Sequence, residues 1–168
     1  MSDLKELRIA FKGLSNGIHE FNFTVDDDFF KNFEKSSVKK GHFTILVRLE
    51  RQEGMMQLQF GYDGWFEAPC DRCLSLIEVP LSFEDGIIIK FNEEESMTEE
   101  VMFIHPKKDF IELSELMYEM IHVHLPLQNL IDCDSQENNQ CDQEAIKYLE
   151  YKPASGQIGD SVLKNLKS

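Results

Sequence analysis

Apolar and polar residues alternate with a period of two along most of the first half of the chain. The alternation is clearest in residues 43–49 and 56–62, which are separated by the turn-forming residues 52–54. Successive side chains of a strand point to opposite faces, so this pattern predicts an antiparallel hairpin with one buried face. Residues 7–11 and 18–25 alternate in the same way, and the turn residues between them predict that these two strands pair or lie as neighbours.

The pattern also predicts irregular strands further along the chain. Gly61, Gly64 and Pro69 indicate a bulge or bend just before Cys70. After Cys73 the apolar positions shift by one residue, which indicates a bulged or strongly twisted strand, and residues 84–86 have the composition of a turn. Six or seven short, mostly sequential strands favour an antiparallel sheet that curls toward a barrel or sandwich.

Helices are predicted at three places. Three aspartates at 26–28 precede phenylalanines at helical spacing, which is typical of a short helix with an acidic start. Apolar residues from Leu113 to Ile121 follow helical spacing until Pro126 ends the segment, and residues 144–151 form one more candidate helix. The fold class predicted is therefore α+β: a mainly antiparallel twisted sheet or open barrel, with one helix in the N-terminal half and helices in the C-terminal part.

We expect a single α+β domain over residues 1–151, β-rich over 1–91 and helical over 110–151. The acidic run at 92–100 is typical of a solvated loop. Residues 152–168 are predicted to be a linker and a short amphipathic tail helix. The first residues alternate in charge and no apolar run is long enough to cross a bilayer, so we expect a cytoplasmic protein that does not contact the membrane.

The formal net charge of -14 is concentrated in residues 91–150, whereas the tail is net basic. Phosphates would be repelled by such a chain along a continuous contact, so nucleic acid would have to meet the less acidic N-terminal region or the tail. The acidic segment would suit a basic protein. No phosphate-binding glycine loop, HExxH or GxSxG motif is present, and we predict no enzyme and no small-molecule substrate.

The CxxC at Cys70 and Cys73 is the sharpest local signal in the sequence. Two thiolates at this spacing can wrap one tetrahedral zinc ion if two more ligands arrive, and Cys133 and Cys141 are the candidates. Two alternatives remain open at this point: thiols that only pack in a turn, and a thiol oxidoreductase, which would need the first cysteine at a helix N-terminus. The sequence therefore predicts either a structural zinc ion or no cofactor.

Cys70-Asp71-Arg72-Cys73-Leu74 resembles the Cys-x-Arg-Cys-Leu signature of the YceD family of large ribosomal RNA subunit accumulation proteins. The resemblance continues over about residues 40–168, through the helix that closes at Leu125-Pro126, the acidic loop with cysteines and the terminal Leu163-Lys164-Asn165-Leu166-Lys167. It implies a non-catalytic factor for the accumulation or processing of large-subunit (23S) ribosomal RNA.

Two kinds of partner are predicted, one from the resemblance and one from the acidic segment. The first is large-subunit ribosomal RNA or its precursor particle, and the alternative is a basic ribosomal protein for which the chain is an acidic adaptor. Arg72 is the leading contact candidate, although pairing with Asp71 or Glu67 would make it structural. The other candidate cations are Lys39, Lys40, Arg48, Arg51, Lys164 and Lys167.

Overall fold

The computed structural model describes residues 6–131 and 140–150, apart from the side chains of 149 and 150. This part of the chain contains three helices and eight strands, in an α+β arrangement whose sheet is open. The strands are β1 (Arg8–Ala10), β2 (Gly17–Val25), β3 (Gly41–Gln52), β4 (Met55–Pro69), β5 (Leu76–Phe91), β6 (Ser96–Met97), β7 (Val101–Ile104) and β8 (Phe110–Glu112). The helices are α1 (Asp27–Lys31), α2 (Ser114–Val123) and α3 (Gln143–Glu150).

Six strands form the main sheet in the order β2-β3-β4-β5-β7-β6. Pairs β2–β3, β3–β4 and β6–β7 are antiparallel, whereas β5 and β7 are parallel. The predicted α+β class with a mostly antiparallel, open sheet is therefore confirmed.

The first strand does not pair with the second, so the predicted pairing was wrong. β1 pairs with β8 in a separate antiparallel ladder that places Ile9 opposite Ile111, and both side chains are buried. The amide of Phe11 donates to the carbonyl of Asp109 at one end of this ladder, at 3.2 Å. The turn residues after β1 are compatible with several directions of the chain, and burial of apolar side chains against a distant strand decides among them.

The predicted hairpin of β3 and β4 is confirmed, with Gly54 at a φ of +80° in its turn. The register runs without interruption from Gln52↔Met55 to Gly41↔Phe66, so no bulge occurs on this side at Gly61 or Gly64. Gly64 is instead a point of close approach, because a Cβ there would lie 2.0 Å from the carbonyl oxygen of His42. The glycine lets the backbones pair where a side chain would not fit.

β5 is one long strand, and the turn predicted at residues 84–86 was wrong. Every second residue from Ile77 to Phe91 is buried or half-buried, without a change of phase. The apparent phase shift arises because Leu74 and Leu76 are exposed rather than part of the buried face. Gly86 lies inside the strand, where a Cβ would meet the carbonyl oxygen of Leu58 at 3.0 Å.

Three short helices are present among the described residues. In α1 the Asp26 carboxylate caps the helix by accepting a hydrogen bond from the amide of Asp28, at 3.1 Å, and Phe29 and Phe30 are buried. In α2 the buried face contacts the sheet, since the hydroxyl of Tyr62 donates to the sulfur of Met120 at 3.3 Å. The third predicted helix, over residues 144–151, corresponds to α3.

The described residues divide into two compact units. Residues 6–68 and 78–129 form the first, and residues 69–77, 130, 131 and 140–150 form the second. Residues 92–100 are all exposed, as predicted, with the two residues of β6 among them. The linker and tail helix predicted for residues 152–168 lie outside the described residues. No helix in residues 6–131 and 140–150 has the length and apolar character of a membrane span.

Candidate metal centre

The CxxC motif forms a tight turn that directly follows β4. The amide of Cys70 donates to the carbonyl of Ser75, and the amide of Leu74 donates to the carbonyl of Cys70, both at 2.8 Å. Between the two cysteines, the amide of Arg72 donates to the sulfur of Cys70 at 3.4 Å. The turn buries both cysteines although they are only three positions apart.

Leu74, the residue after the motif, has a φ of +64°. The left-handed region costs a non-glycine residue about 1–2 kcal/mol. The Leu74 side chain is 79% exposed, so its burial does not compensate for this conformation. Such strain persists where the surrounding contacts fix the backbone, and it is most common at functional sites.

A third thiol comes from the segment that precedes α3. Asp142 begins this helix, with its carboxylate accepting hydrogen bonds from the amides of Glu144 and Ala145 at 2.9 and 3.3 Å. The amide of Asp142 donates to the hydroxyl of Ser75 at 3.1 Å, which ties the start of α3 to the CxxC turn. Cys141 is buried, and its sulfur lies within 4.8 Å of the sulfurs of Cys70 and Cys73.

This spacing fits a tetrahedral thiolate site. Zinc binds thiolates at about 2.3 Å, which places tetrahedral sulfurs about 3.8 Å apart. The upper limit of 4.8 Å on the three sulfur separations is compatible with this value. All three are free thiols. The geometry thus supplies three ligands, and Cys133, the fourth predicted ligand, lies outside the described residues.

Hydrogen bonds around Cys73 favour the thiolate that a metal requires. Burial acts to raise the pKa of the Cys73 thiol, but hydrogen bonds with Ser75, the backbone of Asp142 and the Cys141 thiol outweigh it and lower the pKa to about 6. Backbone N–H donors to sulfur play this part around structural metal sites, where they orient the ligands and stabilise their charge. The hydrogen bonds therefore favour a negatively charged sulfur at Cys73, the form in which a cysteine binds a metal ion.

The same geometry disfavours disulfide exchange. In a thioredoxin-type enzyme the first cysteine of the CxxC is accessible and lies at a helix N-terminus, which stabilises its thiolate. Cys70 is fully buried and follows a strand, and the helix start in this unit adjoins Cys141 instead. A dithiol enzyme of the thioredoxin type is not supported.

The predicted contact residues that the structure describes differ in their local surroundings. Arg72 is half-buried in the CxxC turn and has an interaction partner. Lys39 and Lys40 are exposed, and Lys40 pairs with Glu67 at 3.2 Å. Arg48 pairs with Glu20 at 3.3 Å on the outer face of β3.

Arg51 and the tail lysines differ from this group. The Arg51 guanidinium donates to the carbonyls of Phe11 and Leu14, the latter at 2.7 Å, which gives it a structural role in holding the segment after β1. Lys164 and Lys167 lie outside the described residues.

Two residues of the site were missed by sequence reasoning. Ser75 and Asp142 hold the two parts of the site together and donate hydrogen bonds toward Cys73. A polar residue just after CxxC, and an aspartate between a cysteine and a predicted helix, are the signals that point to them.

A family model described as "Large ribosomal RNA subunit accumulation protein YceD" matches residues 58–167. This is well over half of the chain. The chain belongs to the YceD family. The matched range includes Cys70, Cys73, Arg72 and Cys141, so the candidate metal centre lies wholly within the YceD region. No curated protein and no solved structure matches the chain significantly.

Proposed function

We propose that this YceD family member is a non-catalytic factor that supports the accumulation or processing of large-subunit ribosomal RNA. The family match carries this proposal, since its description refers to large ribosomal RNA subunit accumulation. The three thiols are buried and lie close enough together to hold one metal ion, which agrees with a structural rather than a catalytic site.

In this proposal zinc is held by Cys70, Cys73 and Cys141, with Cys133 as the fourth ligand. The ion would neutralise the thiolates and fix the CxxC turn to the start of α3. The hydrogen bonds that already join these two segments include those of Asp142 with Ser75 and of Cys141 with Cys73. The metal would therefore stabilise the second unit.

The CxxC turn is the proposed contact surface for the precursor particle. Arg72 is half-buried between two ligands, so its backbone is held by the same hydrogen bonds as the thiols. A guanidinium on a rigid turn loses little conformational entropy when it binds phosphate. Lys39 and Lys40 are the other exposed cations for which we propose a contact.

Substitution Arg72→Glu tests this surface. We expect the variant to show a several-fold reduction in co-sedimentation with large-subunit precursors in a lysate gradient, because a contact of opposite charge becomes repulsive. Lys35→Glu makes the same charge change at an exposed position of the first unit and should co-sediment like the parent protein. Equal behaviour of the two variants would contradict a role for Arg72.

A further inference from the structure

A groove of the first unit runs along α2, outside the thiol site. It consists of two cavities of about 330 and 410 Å³ that share Met97, Leu116 and Glu119 and so adjoin each other. We call this surface the α2 groove. We propose that it docks a linear segment of a protein partner in which lysines or arginines alternate with apolar residues.

The floor of the α2 groove is apolar. Leu116 and Met120 lie at its base with little exposure, and the side chains of Met97 and Val123 are 45% and 79% exposed beside them. Phe110, 39% exposed, continues this surface into the neighbouring cavity. Exposed apolar side chains gathered within a polar rim are typical of an interaction surface, and methionine adapts its shape to different partners.

The rim of the α2 groove is acidic. Its carboxylates come from β5, from the segments flanking β6, from β8 and from α2, and they belong to Asp85, Glu95, Glu99, Glu112, Glu115 and Glu119. The basic side chain in this lining is Lys108, which is paired with Glu95 at 2.9 Å. The Arg8 guanidinium also lies over the Phe110 ring, 4.4 Å from its centroid, and six carboxylates against these two cations leave the groove net negative.

The helix itself carries a charge pattern that its own stability does not explain. Glu115 and Glu119 lie four residues apart on α2, a spacing at which like charges repel and disfavour a helix. The helix dipole favours Glu115 in the first turn, but this benefit does not reach Glu119. Within residues 6–131 and 140–150, neither carboxylate has an ion pair.

Charge and size together select the occupant. RNA phosphates and a second copy of this chain, with its net charge of -14, would both be repelled. Cavities of this volume admit a few side chains, which suits a linear segment and not a folded surface. We expect the segment to belong to a basic protein of the large-subunit precursor. This choice of partner rests on the proposed function, whereas the binding of a basic and apolar segment does not.

The test is a fluorescence anisotropy titration of the full-length protein with a labelled peptide of about twelve residues that alternates lysine pairs with leucines. The double variant Glu115→Gln and Glu119→Gln should bind this peptide about tenfold more weakly at physiological salt. Glu34→Gln with Glu53→Gln removes the same charge at exposed positions outside the groove and should change affinity less than about twofold. Equal weakening by both pairs would show that binding follows net charge alone and would overturn the proposal.

Two further arms test the floor and the competing occupant. A peptide with serine in place of leucine should bind several-fold more weakly, and equal affinity would refute the role of the apolar floor. The double variant Lys164→Gln and Lys167→Gln should bind the peptide with unchanged affinity. An increase in affinity would show that the chain's own basic terminal segment competes for the groove, and would overturn the proposal of a partner segment. Retained peptide affinity in the α2 groove variant, together with lost co-sedimentation in Arg72→Glu, would refute this inference and leave the proposed function intact.

Discussion

Substitution of Gly64 by alanine should strongly destabilise the first unit. Gly64 lies opposite Phe43 in the β3–β4 ladder, and an added Cβ would lie 2.0 Å from the carbonyl oxygen of His42 and 2.8 Å from the Cα of Phe43. Both of these atoms belong to the backbone, so a rotamer change cannot relieve the overlap. The two strands would have to separate by about 1 Å, against a normal spacing of about 4.8 Å.

The loss in free energy of unfolding caused by this strand separation can be estimated from its two contributions. Overpacking in a well-packed region typically costs about 1–3 kcal/mol, and each weakened ladder hydrogen bond adds about 0.5–1.5 kcal/mol. Phe43 is fully buried, so its packing would be disturbed as well. We expect Gly64→Ala to lower the free energy of unfolding by about 3–4 kcal/mol, a large part of the stability of a typical domain.

Gly61→Ala is the matched control on the same strand. A Cβ at position 61 has no atom within 4 Å, and alanine reduces the entropy of the unfolded chain. This variant should be as stable as the parent protein or up to about 1 kcal/mol more stable. Urea unfolding followed by fluorescence of the single tryptophan, Trp65, measures both free energies. A difference below about 1 kcal/mol between the two variants would refute the close approach at Gly64.

Three further results are expected. From the proposed zinc site we expect elemental analysis to find zinc in the purified protein, and Cys141→Ser should remove most of it because it deletes one of three clustered thiols. Leu74→Gly should stabilise the CxxC turn by up to about 1 kcal/mol, because it removes the cost of a positive φ. Slower proteolysis at this turn would report the gain in stability. Burial, with a smaller contribution from the charge of Asp85, raises the pKa of Tyr62 in the folded protein. The free energy of unfolding should therefore fall as the pH rises above about 10, where the tyrosine of the unfolded chain ionises. Between pH 9 and pH 11 the free energy of unfolding of Tyr62→Phe should fall by about 1.4 kcal/mol less than that of the parent protein.

Each of these results has its own control. Cys133→Ser tests the predicted fourth ligand, and zinc content that is unchanged in Cys141→Ser would contradict the candidate metal centre. Leu76→Gly makes the same substitution at an exposed strand position and should destabilise, so a shared sign would contradict the argument for Leu74. For Tyr62, parallel pH curves of the two proteins between pH 9 and pH 11 would show that its hydroxyl titrates alike in both states.

Local patterns predicted those elements whose cause is local. The Asp26 cap, the phenylalanines of α1 and the hairpin with Gly54 in its turn all follow from residues close in sequence. The partner of β1 could not be predicted in this way, because Ile111 lies far along the chain and is selected by shared burial with Ile9. Parallel pairing of β5 with β7 is non-local for the same reason.

Glycines misled the sequence reasoning because one residue type serves two purposes. A glycine can permit a turn, as at Gly54, or a close backbone approach inside a strand, as at Gly64 and Gly86. The sequence alone does not show which neighbour is present. At the thiol site, the CxxC spacing identified Cys70 and Cys73, whereas the arrival of Cys141 beside them depends on how the chain folds between them.

The thiol site also has a consequence for synthesis of the protein. Ser75 and Asp142, which join its two halves, are 67 residues apart in the chain. Cys70 and Cys73 are therefore synthesised well before Cys141. A metal site that needs all three thiols would be completed only after residue 141 has been synthesised, so assembly of the proposed site is coupled to synthesis of the whole segment between them.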